Sequence, residues 1–351
     1  MKQKLRDICT GITDGSHNPP QGVECSDYLM ISSKNIYDDQ ITLEEPRYLT
    51  KEQFYAENKR TNIQKGDVLM TIVGTVGRAA VVDEDLDNIT LQRSVAVLHP
   101  NHDICDSRFL MYALRSKRVF FEKEAHGVAQ KGLYLKQLSD VSVSLPDRAQ
   151  QLALVNILDR VNHIIHERQE QLEQLDMLIK ARFVEMFGDP ITNTKQLETR
   201  DLKDVLVLKA GDFTAASDIS DEPTEMHKYP CYGGNGIRGY VEEYNQDGEY
   251  SLVGRQGALS GNVQFARGQF KNTEHALLVT PIVEMNSIWL NQLLLNLDLK
   301  RYQTGAAQPG LSVKNLQEIQ IIMVSIEEQN SFAEFVKQVD KSKFGRAIAY
   351  I

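Results

Sequence analysis

The sequence predicts an α+β protein written as two copies of one module joined by long helices. Three observations predict it. Short β-branched runs alternate with glycine turns and helical stretches. A block of sequence recurs at a fixed offset. A segment without glycine or proline, carrying a heptad of apolar residues, lies between the copies.

The strands come first. Residues 67–73 and 78–82, followed by Ser94-Val95-Ala96-Val97-Leu98 and Ala276-Leu277-Leu278-Val279, are read as strands. Glycines at 74, 77, 254, 257 and 261 supply the turns. Helical stretches follow near 106–123 and 286–300. A last strand, near 138–145 in the first copy and 316–324 in the second, leads into a helix.

The repeat is read directly. Gly127-Val128-Ala129-Gln130-Lys131-Gly132-Leu133 resembles Gly305-Ala306-Ala307-Gln308-Pro309-Gly310-Leu311 at an offset of 178. The apolar pattern continues at that offset, with Leu154, Ile157, Leu158 and Val161 falling on Phe332, Phe335, Val336 and Val339. Leu5-Arg6-Asp7-Ile8 resembles Leu202-Lys203-Asp204-Val205 at an offset of 197, so the middles of the copies have diverged in length.

Residues 147–187 hold apolar side chains at Leu154, Leu158, Val161, Ile165, Leu172, Leu175, Ile179 and Met186; with Arg168 and Arg182 falling on the same seam, the spacing alternates four and three. That is a coiled-coil stripe on a helix roughly 60 Å long. It ends at Gly188 with Pro190 beyond. A second helix begins near Ser325 and is expected to run back along the first as an antiparallel pair. It is shorter, about 25 residues against about forty, so the pairing is expected over part of the first helix only. The expected segments are a first module over 1–146, a central helix over 147–190, a second module over 191–324 and a distal helix over 325–351, with the two modules in a pseudo-twofold arrangement. A helix that dimerises two chains is the other reading of the stripe.

Composition narrows the function classes. The 351 residues are 42% hydrophobic and 25% charged, normal for a globular protein. No stretch of eighteen apolar residues spans a membrane, and no signal peptide opens the chain, so a cytoplasmic protein is expected. The net charge of −9 argues against a purely electrostatic nucleic-acid binder. Residues 1–146 carry 18 basic and 20 acidic side chains, and residues 191–351 carry 16 and 20, which leaves room for a local basic face in either. The four cysteines form no CxxC pair, so free thiols and no metal are expected.

Several strings resemble chemistry without its context. Asn18-Pro19-Pro20-Gln21 lacks the aromatic ring that an adenine methyltransferase stacks on its flipped base. Gly234, Gly236 and Gly239 spell a GxGxxG, but a strand and a turn follow instead of a helix. His163 and His166 suit a helix surface better than a metal site. No GxxxxGK[ST] is present and no nucleophilic triad has supporting context. No catalytic residue, cofactor site or metal site is expected.

Gly66-Asp67-Val68-Leu69 leading to Gly74-Thr75-Val76-Gly77-Arg78, the run Tyr232 to Tyr240, the run Gly254 to Asn262, and Thr273-Glu274-His275-Ala276 resemble the DNA-specificity subunits of type I restriction–modification systems. The resemblance covers essentially the whole chain. It implies two target recognition domains, each reading one half of a split duplex DNA target. It also implies helices that set the gap and dock two methyltransferase subunits, which use S-adenosylmethionine, with ATP- and magnesium-dependent restriction subunits joining them. The chain itself would be no enzyme.

Base edges are read by Arg, Lys, Asn and Gln, and phosphates by cations, hydroxyls and backbone N–H groups. The candidate DNA contacts in the first module are Lys34, Asn35, Thr75, Arg78, Gln92, Arg93, Gln130, Lys131 and Tyr134. In the second they are Asn235, Arg238, Tyr240, Arg255, Gln256, Ser260, Asn262, His275 and Gln308. The candidate docking residues on the helix are Leu158, Val161, Ile165, Leu172, Leu175 and Ile179. The alternatives are a stand-alone or inactive DNA-binding variant and a coiled-coil adaptor without enzymatic partners. Salt-dependent binding with a base preference separates DNA readers from the adaptor.

Overall fold

A sheet whose first four strands follow one order appears twice in the chain. A computed structural model describes residues 2–126, 132–304 and 310–345. Its contacts divide the chain into two units, Met1–His166 and Glu167–Ile351.

Unit 1 opens with β1 (Lys2–Lys4), α1 (Leu5–Ile8) and β2 (Cys9–Asp14). Its divergent middle holds β3 (Tyr28–Ile31), β4 (Ile36–Tyr37), β5 (Gln40–Ile41), β6 (Arg47–Leu49) and α2 (Lys51–Thr61). Then come β7 (Val68–Thr71), β8 (Ala79–Val81), β9 (Ile89–Leu91) and β10 (Val95–Pro100). They are followed by α3 (Ser107–Arg115), α4 (Arg118–Glu124), α5 (Leu135–Asp140) and β11 (Ser142–Ser144). The helix α6 (Arg148–Phe187) begins in unit 1 and ends in unit 2.

Unit 2 repeats the opening with β12 (Thr199–Asp201), α7 (Leu202–Val205) and β13 (Leu206–Ala210). Its middle is a hairpin of β14 (Tyr229–Gly233) and β15 (Gly236–Val241), followed by β16 (Gln246–Gly254), β17 (Val263–Asn272) and β18 (Ala276–Pro281). The unit closes with α8 (Ser287–Asn296), α9 (Val313–Gln317), β19 (Gln320–Ile322) and α10 (Ile326–Gly345).

The order β2-β10-β7-β8 in unit 1 matches β13-β18-β16-β17 in unit 2, all antiparallel. In each unit the first strand pairs with the strand before the long helix, β1 with β11 and β12 with β19. The bridges His126 to Gly132 and Thr304 to Gly310 recur at the offset of 178 read from the sequence. A buried glutamine recurs too. Gln151 donates to the Pro146 carbonyl (2.9 Å) and accepts from the Asp106 amide (2.8 Å). Gln329 donates to the Val324 carbonyl (3.0 Å) and accepts from the Asn286 amide (2.8 Å). Each glutamine satisfies backbone groups where the helix meets the sheet, which explains its burial.

The strand expected over 138–145 is shorter than read, as is the one over 316–324. Residues 135–140 and 313–317 are helical, and only three residues of each strand follow. Ser312 caps the second of these helices by accepting from the Asn315 amide (3.1 Å), a local bond that outweighs the β-branched composition.

In unit 1, Arg108 of α3 donates to Asp159 of α6 (2.9 Å), and the Tyr112 hydroxyl donates to the same carboxylate (2.6 Å). Burial, then the neighbouring Asp159, pushes the Tyr112 phenol up to about 12. In unit 2, the second half of α6 packs antiparallel to α10. Phe332 stacks edge-on against Phe183 (5.5 Å) and Phe187 (5.6 Å). At the other end of α10, Lys343 pairs with Asp176 (2.6 Å), and Arg168 donates to the Lys343 carbonyl.

Candidate nucleic-acid interface

In unit 1, β2 leaves its sheet at Gly15. The backbone there passes so close to the next strand that a Cβ would lie 2.1 Å from the Leu91 carbonyl oxygen, so only glycine fits. Ser16 then bridges to Gln92, and Arg93 N–H donates to the Ser16 carbonyl (2.9 Å). This fixes the loop after β2 beside residues 91–94. Gly132 and Leu133 reach the same place, since Leu133 N–H donates to the Ile72 carbonyl (2.8 Å).

Two grooves result. The first is lined by Asp14, His17, Arg60, Arg93, His126 and Tyr134, among others. Asp14 is buried. Its carboxylate accepts from Arg60 Nε (3.1 Å) and meets His17 Nε2 (2.8 Å), which fixes both side chains at the rim. Tyr134 is 69% exposed, an aromatic face open to solvent. The second groove is lined by Ser32, Lys34, Glu45, Arg47 and Gln92. Lys34 pairs with Glu45 (3.3 Å), and Arg47 donates to the Pro20 carbonyl (2.7 Å). Gln92 accepts from Ser94 Oγ (2.8 Å), leaving its NH2 for another partner.

In unit 2 the same exit is made at Gly211, where a Cβ would lie 2.1 Å from the Asn272 carbonyl oxygen. Asp212 follows and bridges to Thr273. The Asn245 side chain, then Lys271, hold the Asp212 carboxyl below the usual range. The rim is a crossing of backbones. A Cβ at Gly254 would lie 2.4 Å from the Leu259 carbonyl oxygen and 2.6 Å from that of Gly234. Arg255 N–H donates to the His275 carbonyl (3.1 Å), and Leu311 N–H to the Arg255 carbonyl (2.9 Å). Asn262 donates to the Asn235 side-chain oxygen (2.8 Å), and His275 sits 3.1 Å from Glu274. The Gly234–Asn235 turn of the β14–β15 hairpin closes the crossing, which is the structural setting of the GxGxxG string.

The structure therefore gathers Lys34, Gln92, Arg93 and Tyr134 in one unit and Asn235, Arg255, Asn262 and His275 in the other. Gln256 follows Arg255 and bridges to Gly310. Thr75 is exposed in a glycine turn, and Arg238 is exposed on β15. Tyr240 is half-buried on β15, where its backbone pairs with Ser220. Arg78 lies over the Tyr37 ring (5.2 Å) and lines neither groove. Gln130, Lys131 and Gln308 lie outside the described residues.

Three expectations are corrected. Asn35 is buried, its amide accepting from Ser32 N–H (3.1 Å) and donating to the Glu44 carbonyl (2.8 Å), so it holds a turn and is closed to a base. Ser260 is buried with its hydroxyl on the Gly257 carbonyl (2.8 Å). Ile179 belongs to the core of unit 2 and is closed to a partner, while Leu172 and Leu175 are half-buried and Leu158, Val161 and Ile165 are exposed. Sequence reasoning missed His17, Arg47, Arg60 and His126. A second cleft of unit 2, with the exposed ring of Phe213, holds Asp218, Glu242 and Glu243 against Lys271 and His227. Its excess of carboxylates repels phosphate.

Among the described residues no helix is long and apolar enough to cross a membrane, and no cluster of three or more His, Cys, Asp or Glu is placed to hold a metal ion.

Two copies of one α+β module, each leading into a long helix and each with its own polar rim, define a duplicated recognition-domain protein. The sequence profile described as the type I restriction modification DNA specificity domain matches residues 4–174 and 194–345. The type I restriction enzyme EcoprrI specificity subunit of Escherichia coli is 30% identical over 289 residues, 79% of this chain and 71% of that protein. The MjaVIII specificity subunit of Methanocaldococcus jannaschii is 20% identical over 81% of this chain and 74% of its own length. The crystal structure of a type I restriction-modification S subunit from M. genitalium aligns with a TM-score of 0.55 at 17% identity, covering 98% of this chain and 90% of that one. This chain belongs to the type I restriction modification DNA specificity family.

Proposed function

We propose that the chain is the DNA-reading subunit of a type I restriction–modification complex, with no catalytic step of its own. Each unit reads one half of a bipartite duplex target. The observation that carries this reading is the duplicated framework with two unlike rims: the same glycine exit at Gly15 and Gly211 leads to different side chains. In unit 1, Arg60, Arg93, Lys34 and Arg47 suit phosphate and guanine contacts, and Tyr134 offers an apolar face to a base or sugar. In unit 2, Asn235, Asn262, Gln256 and Arg255 suit base edges, and the glycine crossing lets backbone amides approach phosphate.

Two methyltransferase subunits, using S-adenosylmethionine, would dock along the outward side of α6 and methylate adenine. Restriction subunits, using ATP and magnesium, would join them. The work of this chain is position and sequence choice.

The test is methylation mapping in a host expressing the chain with its methyltransferase subunit. A bipartite motif with a fixed gap and one modified adenine in each half is expected. An undivided motif, or no methylation with both proteins soluble, would overturn the reading.

A further inference from the structure

The heptad stripe of the helix that follows each module is covered in one unit and exposed in the other. In unit 2, Phe332, Val336 and Val339 of α10 are 0%, 3% and 7% exposed, because Ile179, Phe183 and Phe187 of α6 pack against them. Their repeat equivalents in unit 1, Leu154, Leu158 and Val161, are 44%, 38% and 46% exposed. Leu154 and Leu158 border an open apolar groove with Phe109, Tyr112, Val143 and Pro146. Ile165 continues the stripe at 49% exposure.

This bare stretch is continuous with an interface already formed. Leu154, Leu158, Val161 and Ile165 stand at the heptad positions that become Leu175 and Ile179 further along α6. There α10 covers them, and its described contacts along α6 stop at Arg168. A helical face of this kind is stable in water only when another apolar face lies on it.

The spacing of the stripe identifies an occupant. From Leu154 the steps are four, three and four, and they read the same backwards. An antiparallel copy of the stretch therefore sets Leu154 of one chain against Ile165 of the other, and Leu158 against Val161, with a twofold axis between them. Charge does not oppose it. Between Gln150 and Ile165 the only Asp, Glu, Lys or Arg residues are Asp159 and Arg160. Asp159 is turned to Arg108 and Tyr112 of its own unit. At 100° per residue, Arg160 falls well off the stripe.

We propose that two copies of this chain pair through residues 154–165 of α6, antiparallel, reproducing in trans the packing that α6 and α10 make within unit 2. The pairing rests on α6 alone and does not depend on the DNA-reading function. It is the state of the chain without its partner subunits, whose docking on the same helix would compete with it.

The experiment is sedimentation equilibrium on the full chain with two double variants, Leu158→Glu/Val161→Glu and Leu158→Lys/Val161→Lys. The native chain is expected at twice the monomer mass, and each variant alone at the monomer mass with native circular dichroism. The charged positions meet across the axis, so an equimolar mixture of the two variants is expected to recover the doubled mass as a heterodimer. A native chain that stays monomeric as its concentration rises would overturn the proposal. So would variants that stay dimeric, or a mixture that stays monomeric. DNA binding by the monomeric variants, read separately, tells a failure of this pairing from a failure of the DNA-reading account.

Discussion

Gly15 and Gly211 leave their sheets through the same backbone approach, yet the surfaces they introduce differ. Unit 1 follows its glycine with His17, braced on a buried Asp14 that also holds Arg60. Unit 2 follows its glycine with Asp212 and Phe213 and builds its rim from a crossing of Gly234 and Gly254. One rim presents a guanidinium and an imidazole held by a buried carboxylate; the other presents amides and backbone. The difference teaches where a duplicated reader is free to change. Sheet order, the glycine exit and the buried glutamine under each long helix are the same in both copies, because each satisfies backbone or excludes a Cβ. Side chains beyond that frame carry no such constraint.

The largest expected effect strikes the shared frame. Gly211→Val sets a side chain into the Asn272 carbonyl and should cost about 4 kcal/mol or more. Hydrogen exchange should show unit 2 losing protection while unit 1 keeps it, and Gly15→Val should do the reverse. If either variant left both units protected, the shared exit would not be structural.

Next comes the helix seam. Phe183→Ala removes a buried ring and should destabilise unit 2 by about 3–5 kcal/mol. Leu158→Ala, on the bare part of the seam, should cost under about 1 kcal/mol in a monomer, because much of that side chain already meets water. Urea unfolding of the two variants side by side, at concentrations low enough to keep the chain monomeric, decides it. Equal losses would mean that the stretch is covered within the single chain.

A smaller effect separates the rims. Arg60→Ala should weaken DNA binding across all sequences and lower the slope of affinity against salt by about one, the signature of a lost phosphate contact. A changed base preference with an unchanged salt slope would make Arg60 a base reader instead.

The smallest concerns thiols. Burial, then Cys105, pushes Cys9 up to about 12, and burial pushes Cys105 up to about 11. Burial also raises Cys231, while Cys25 is exposed. Only the thiolate reacts, so at about pH 8 one of the four cysteines should be modified quickly in the native chain, and it lies in unit 1. A fast second equivalent, mapped to Cys231, would show that unit 2 opens more readily than its packing implies.

Much of the frame was legible in the sequence. The offset of 178 reappears as paired bridges at His126 and Thr304, and the heptad reappears as α6, because periodicity and repetition are properties of the chain itself. The short helices over 135–140 and 313–317 were not legible: each takes residues that read as strand, and only the second carries a capping serine, Ser312. The rims were legible only in part. Arg93, Tyr134, Asn235 and Arg255 lie on them, but Asn35 and Ser260 face inward, closing turns whose geometry no spacing announces. Arg60 and His17 could not be paired from the sequence, because the residue that joins them, Asp14, acts across a distance set by the fold.

The central claim is that the two rims read separate halves of one target. Methylation mapping with Arg93→Ala and Arg255→Ala, each expressed with the methyltransferase subunit, tests it most directly. Each variant should relax one half of the motif and leave the other half and the gap intact, with a discrimination loss of about 1–3 kcal/mol at the affected position. Relaxation of the same half by both, or of both halves by either, would contradict two independent readers.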